Sequence, residues 1–284
     1  MQAANGNGAS KGRKGFFVLF GAPGTWKSSQ ALWTFQDSLY LASSEGLDQF
    51  YMHVQLKTPE AQALNKKPPK KIVILDQYSI NGGPLTFGPN GEMVKTPQCA
   101  TMEQAIEDVT KVLNNDKIAG RPPTFRNIII DEASVFWDRF FIEIAADCIR
   151  NGNRDGRAHH QAIQVWTRQV IDRFRTVLSM GANLIAIAHD VEPDGKSRKG
   201  GAQMPNARTS KIFGADSHLS MLSDFEEVSG LDFNTNVKGP PKHLWRGFAS
   251  SSMNSKIRGI SAERFEEIKY WSLEKIVLEA GFEP

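Results

Sequence analysis

Short, almost unbroken apolar runs alternate along the chain with longer stretches in which apolar residues recur every third or fourth position. The runs are Phe16 to Phe20, Ser38-Leu39-Tyr40-Leu41-Ala42, Ile72-Val73-Ile74-Leu75, Phe125 to Ile130, and Asn183-Leu184-Ile185-Ala186-Ile187-Ala188. Runs of this length and β-branched content predict buried strands. The helical spacing is clearest over 101–113, with Met102, Ile106, Val109 and Leu113 on one stripe and Glu103 and Glu107 opposite. It recurs over 162–180, with Ile163, Trp166, Val170, Phe174 and Leu178 in line, Arg168, Arg173 and Arg175 elsewhere and Gly181 placed to end the helix. A terminal helix is expected over 261–281, packing Phe265, Ile268, Trp271, Leu273 and Ile276 inward. The alternation predicts one α/β domain, a mostly parallel sheet sandwiched between helices.

The connections are uneven. Residues 54–65 are weakly patterned, 66–71 form a charged break, and 81–97, with turns at Asn81-Gly82-Gly83 and Pro89-Asn90-Gly91, read as a loop or hairpin. Aromatics crowd 134–149 and read as core, whereas 151–157 read as a polar, flexible loop. Residues 216–229 predict a strand near the sheet edge. Residues 243–249 and 251–259 predict paired strands, with Lys256 and Arg258 on one strand face.

Composition narrows the class only a little. With 284 residues the chain can bury a large core, and 40% hydrophobic against 23% charged residues is the balance of a water-soluble globular protein. The net charge of +3 is too small to imply a polyanionic partner, so local clusters must make that case. Two cysteines, Cys99 and Cys148, lie far apart and suggest neither a disulfide framework nor a zinc site, which fits a reducing, intracellular setting. No run approaches a membrane span, and the start lacks the apolar core of a signal peptide. Residues 1–13 read as a flexible basic arm and 14–284 as the domain, with Lys11, Arg13 and Lys14 clustered at the junction.

Chemistry enters at Gly21-Ala22-Pro23-Gly24-Thr25-Trp26-Lys27-Ser28-Ser29, between the first strand and a helix. A strand, a Gly-rich turn and a helix are the context that the phosphate-binding pattern G-x-x-x-x-G-K-[ST] requires. Gly21 and Gly24 let the backbone wrap a phosphate, successive N–H groups and the helix N-terminus face it, Lys27 reaches the β/γ-phosphates, and Ser28 ligates Mg²⁺. The position before Lys27 departs from the pattern, with Trp26 where glycine is usual. A tryptophan there is expected to need a negative φ and an indole swung outward.

The run through Ile128-Ile129-Ile130 ends in Asp131-Glu132. Paired with the upstream turn, this predicts a strand beside the P-loop strand, with Asp131 holding the Mg²⁺ shell opposite Ser28. His189 ends another buried strand. By itself it reads first as a strand-end histidine satisfied by a carbonyl, and its place also suits a sensor of γ-phosphate or the attacking water. After it, 192–211 is Gly-rich and basic, with Lys196, Arg198, Lys199, Arg208 and Lys211. Such a loop can bind nucleic-acid phosphates or simply be solvated.

Taken together, Gly21 to Ser28, Glu45, Asp131, His189 and the Lys256/Arg258 pair resemble the RecA-type ATPase core. In size and layout the chain resembles the short RecA-core ATPases of bacteriophages that assist single-strand annealing and recombination. The resemblance implies ATP and Mg²⁺ as cofactors and Glu45, in Ser43-Ser44-Glu45-Gly46-Leu47-Asp48, as the residue activating the attacking water. His189 stands where such proteins have a coupling glutamine, and 192–211 corresponds to their DNA-binding loop. Lys256 and Arg258 are similar to a basic pair that reaches a neighbouring subunit's γ-phosphate, and no acidic partner for them is obvious from sequence. Glu132 after Asp131 resembles helicase-like and AAA-type sites, so Glu45 and Glu132 compete as the base. The implied partners are single-stranded DNA, a homo-oligomer arranged as a ring or filament, and a single-strand binding or annealing protein. The implied setting is the cytoplasm of a bacterial or phage-infected cell, with no membrane partner. Two other readings stay open: a slowly hydrolysing nucleotide switch, and a DNA-packaging or helicase-loader motor.

Overall fold

The computed structural model describes residues 12–21, 25–42, 69–74, 84–87, 93–94, 102–131, 133, 146, 148–191, 201–202, 215–222, 244–247, 257–268 and 271–284. Its elements, in chain order, begin with β1 (Phe16–Gly21), α1 (Lys27–Thr34), β2 (Ser38–Ala42), β3 (Lys71–Ile74), β4 (Pro84–Phe87) and β5 (Met93–Val94). They continue with α2 (Met102–Ile118), β6 (Asn127–Ile130), α3 (Gly156–Ser179), β7 (Asn183–Val191) and β8 (Gly201–Ala202). The chain closes with β9 (Ser217–Leu222), β10 (Leu244–Gly247), α4 (Ala262–Ile268) and α5 (Leu273–Glu279). Among the described residues no helix is long and apolar enough to cross a membrane.

The parallel strands lie in the order β9-β1-β7-β6-β2-β3, with β10 antiparallel at one end and β4 then β5 at the other. Strict alternation divides their side chains between two apolar layers. Phe16, Val18, Phe20, Leu39, Leu41, Ile128, Ile130, Leu184 and Ala186 meet Ile106, Val109 and Leu113 of α2 and Val177 of α3. On the other face Phe17, Leu19, Tyr40, Ile129, Ile185, Ile187, Leu219 and Met221 meet Ala31 and Leu32 of α1, Phe265 and Ile268 of α4, and Ile276 and Val277 of α5. This is the expected three-layer α/β sandwich of a P-loop NTPase. Two buried faces explain why the strands read as continuous apolar runs.

Several boundaries and pairings differ from the sequence reading. The Asp131 strand is not beside the P-loop strand: β7 intervenes, pairing with β1 on one side and β6 on the other. The 216–229 segment supplies β9, which lies inside the sheet between β1 and β10. The partner of β10 is β9, and residues 257–260 form a turn, so Arg258 stands on no strand face. Helix α3 begins inside the expected loop, because Asp155 accepts from Arg157 N at 2.9 Å and caps it. The expected terminal helix is two helices, with Ser272 capping the second by accepting from Lys275 N.

At the N-terminal edge of the sheet, buried amides stitch the strands together. Gly15 N donates to Asn183 Oδ1 at 2.9 Å, Asn183 Nδ2 donates to Asn127 Oδ1 at 2.7 Å, and Asn127 Nδ2 donates to Gln36 O. Residues 281–283 return to this edge. Phe282 is buried edge-on against Phe17, with centroids 5.0 Å apart, and Glu283 pairs with Lys14 and Arg126. Arg13 lies over the Phe282 ring at 4.0 Å and donates to Ala280 O, so the packed fold begins before residue 14. Burial outweighs Glu283 at Lys14 and lowers its pKa.

On β9, burial pushes the His218 imidazole down to about 4. The unfolded chain takes up this proton below its ordinary value of 6.5, whereas the folded chain does so only near 4. The neutral imidazole therefore contributes stability above pH 6.5 that is lost progressively as pH falls towards 4. His218→Gln is expected to remove about 3 kcal/mol of the fall in unfolding free energy across this window. Urea titrations of both proteins at stepwise pH check this, and identical pH slopes would refute it.

Candidate functional site at the C-terminal ends of the strands

Strand β1 ends at Gly21, where glycine is required by close approach: a Cβ would stand 2.3 Å from the carbonyl oxygen of Met221 on β9. The chain re-enters at Thr25 and turns into α1 through Trp26, the helix N-cap, whose φ of 63° and ψ of 20° are left-handed. The expected negative φ is therefore corrected. The turn keeps a glycine-like conformation although the residue is tryptophan, and Trp26 O accepts the first helical bond from Gln30 N at 2.9 Å. A non-glycine residue held there costs about 1–3 kcal/mol. The indole offsets part of this by packing on Trp33, 6.1 Å between centroids, and against the α1-side apolar layer.

Lys27 is buried, and its ammonium donates to Gly21 O at 2.9 Å and Thr25 Oγ1 at 3.3 Å. Both ends of the loop are thus tied to the cation, which cannot swing freely. One residue on, Ser28 Oγ donates to Asp131 Oδ1 at 3.1 Å. Asp131 N donates to Leu41 O at 2.8 Å, extending the β6–β2 ladder by one residue, and the carboxylate is only 2% exposed. Its Oδ2 accepts from the Tyr40 hydroxyl. Ser29, also in the expected set, is buried in α1.

Strand β7 passes between these two groups. Register sets its His189 opposite Gly21, so the backbone of His189 lies at the loop's edge, between the P-loop and the Asp131 strand. The chain runs on to Val191 and folds back, with Asp190 and Val191 pairing antiparallel to Ala202 and Gly201. The basic 192–211 segment therefore contains a strand, β8, paired with the end of β7. Ala22, Pro23, Gly24, Glu45, Glu132, Lys196, Arg198, Lys199, Arg208, Lys211 and Lys256 lie outside the described residues.

Arg258 is not brought to this site within the chain. Its N donates to Asp216 O, and its guanidinium pairs with Asp216 Oδ1 at 3.2 Å, beside the start of β1. The length of β1 separates it from Gly21, roughly 17 Å. The expectation of a cation with no acidic partner is corrected for Arg258, since folding brings Asp216 to it from far along the chain. Tyr40 is the residue that the sequence reading missed. Its signal was a phenol in the apolar run of β2, whose buried hydroxyl needs a partner.

Residues 13–258 match the family model described as an AAA domain. No curated protein matches the chain.

The left-handed turn makes a direct prediction. Trp26→Ala and Trp26→Gly both lose the indole, but only glycine adopts the turn without strain. Trp26→Gly is expected to be the more stable of the two by about 1 kcal/mol. Urea unfolding of the pair measures this, and equal midpoints would show that position 26 does not hold the left-handed turn in solution.

Proposed function

The chain belongs to the AAA domain family, and on that premise we propose that it is a Mg²⁺-dependent ATP hydrolase of DNA recombination, acting on single-stranded DNA as a homo-oligomer. The observation that carries the nucleotide reading is the meeting of Lys27, Ser28 and Asp131 at the C-terminal end of a parallel sheet. Ligands of open α/β sheets bind at that end, where successive connections leave to opposite sides. Here that point lies between β1, whose chain crosses to β2 on one side, and β7, whose chain crosses back to β9 on the other.

The donor set fits the nucleotide and its metal. A hydroxyl and a carboxylate 3.1 Å apart are the hard oxygen donors that Mg²⁺ prefers, and Ser28 and Asp131 would hold it. Lys27 and the first turn of α1 would hold phosphate through a fixed cation and N–H groups at a helix start. Bound Mg²⁺ supplies neutralisation of charge on the transferring phosphoryl group. The chain's own part is positional. Gly21 O and Thr25 Oγ1 orient the Lys27 ammonium, the β6–β2 ladder fixes Asp131, and Glu45 or Glu132 takes the proton of the attacking water.

The DNA reading draws on the pairing of β7 with β8. Lys196, Arg198 and Lys199 belong to the connection between β7 and β8, a few residues beyond His189, so phosphate contacts there have a short covalent path to the nucleotide site. The oligomer reading draws on the likeness of the Lys256 segment to basic residues that act across a subunit boundary.

Lys27→Ala is expected to abolish nucleotide binding or hydrolysis, and Asp131→Ala to remove Mg²⁺ dependence together with turnover. Normal hydrolysis by Lys27→Ala would end the nucleotide reading. Of Glu45→Gln and Glu132→Gln, the base should lose turnover on the order of 10²-fold or more while still binding ATP. Steady-state ATP turnover with and without single-stranded DNA, over a range of protein concentration, tests the finer reading. Stimulation by the strand and by concentration is expected. Slow turnover indifferent to both marks a switch, and preference for duplex marks a motor.

A further inference from the structure

We infer that Tyr40 is the positioning residue of the metal site: its phenol holds Asp131 Oδ2 and so keeps Oδ1 turned towards Ser28 and a divalent cation. This rests on the reading of Lys27, Ser28 and Asp131 as a Mg²⁺-nucleotide site. An aspartate carboxylate turns over a broad, nearly two-fold torsion, so backbone placement alone does not say which oxygen faces α1. Strand β2 settles both degrees of freedom from adjacent residues. Leu41 O receives Asp131 N at 2.8 Å and fixes the main chain, while the Tyr40 hydroxyl, one residue earlier, meets Oδ2 and fixes the side chain. Ser28 meets Oδ1 from the opposite direction, on α1.

The choice of tyrosine supports the role. Tyr40 is fully buried in the α1-side apolar layer, where phenylalanine would fill the same volume with no hydroxyl to satisfy. A buried hydroxyl is tolerated only with a partner, and the partner here is the carboxylate that the cation needs. Hydrogen bonds that orient metal-ligating carboxylates tune metal affinity strongly, and their loss typically costs 10–100-fold.

The test uses the full chain and Tyr40→Phe, which keeps the ring. A fluorescent ADP analogue is titrated in EDTA and at stepwise Mg²⁺, and Mn²⁺ binding to the ADP complex is followed by electron paramagnetic resonance. Tyr40→Phe is expected to bind the analogue in EDTA within about twofold of wild type. It should need about 10–100-fold more Mg²⁺ or Mn²⁺ for half-maximal tightening. In an Asp131→Ala background, which has already lost its metal dependence, the same substitution should leave binding of the analogue in EDTA and in Mg²⁺ unchanged, because the group it positions is gone. A wild-type metal midpoint in Tyr40→Phe overturns the inference. So does an equal loss of affinity with and without metal, which would mark the hydroxyl as a general packing element. If wild-type protein shows no metal-dependent nucleotide binding, the nucleotide reading itself fails, and that is seen before any variant is made.

Discussion

The carboxylate of Asp131 is almost completely removed from solvent, and the arrangement of the site depends on the hydrogen bonds that meet it. A buried charge without partners is costly enough to unmake its surroundings, so the elements that supply partners must arrive together. They come from β2 by the Tyr40 hydroxyl and from α1 by Ser28, while β6 supplies the carboxylate itself. Because β7 separates β6 from β1, the helix that follows β1 must lean across a full strand to bring Ser28 over Asp131. At the end of β1, Gly21 lies between the carbonyl of Met221 on one side and the His189 backbone on the other.

The two edges of the sheet divide the work. At the N-terminal edge Asn183, Asn127 and Gly15 form a buried hydrogen-bonded network, and residues 281–283 close over it with the Phe282 ring and the Glu283 ion pairs. Arg258 and Asp216 belong to this edge and tie the turn before α4 to the starts of β1 and β9. At the C-terminal edge the chain tolerates conflict: a tryptophan in a left-handed turn and a lysine ammonium buried against the loop's own oxygens. The left-handed turn at Trp26 is sustained by the packing of its indole on Trp33 and the α1-side layer.

Much of this was legible in the residues. The runs give strands at 16–20, 38–42, 72–74, 127–130 and 183–188 because a doubly covered parallel strand has no polar face to show, and the stripe Ile106, Val109 and Leu113 is buried as spacing predicts. That Ser28 and Asp131 meet was legible because a strand-to-helix turn and a strand end both stand at the C-terminal edge of a parallel sheet. Other features depended on groups distant in sequence. Strand order is set by which strands pair, and nothing local in β7 says that it separates β1 from β6. Arg258 looked unpartnered because Asp216 is brought to it only by the fold.

Two residues show the boundary between sequence and tertiary structure most sharply. Trp26 conflicts with local preference, and sequence reasoning expected it to resolve that conflict by moving its backbone. The fold resolves it by keeping the left-handed turn and packing the half-buried indole against Trp33 and the α1-side layer. Tyr40 has no local anomaly beyond its hydroxyl, and its contact with Asp131 exists only because β2 lies beside β6 in a register that pairs Tyr40 with Ile129, two residues before Asp131 on the same face. By itself the sequence determined which segments are strands and helices and which residues could handle phosphate and metal, because periodicity and functional-group chemistry are local. Strand neighbours, the acidic partner of Arg258 and the hydrogen bonds that orient the Asp131 carboxylate were decided only by tertiary structure, because each is a contact between residues far apart in the chain.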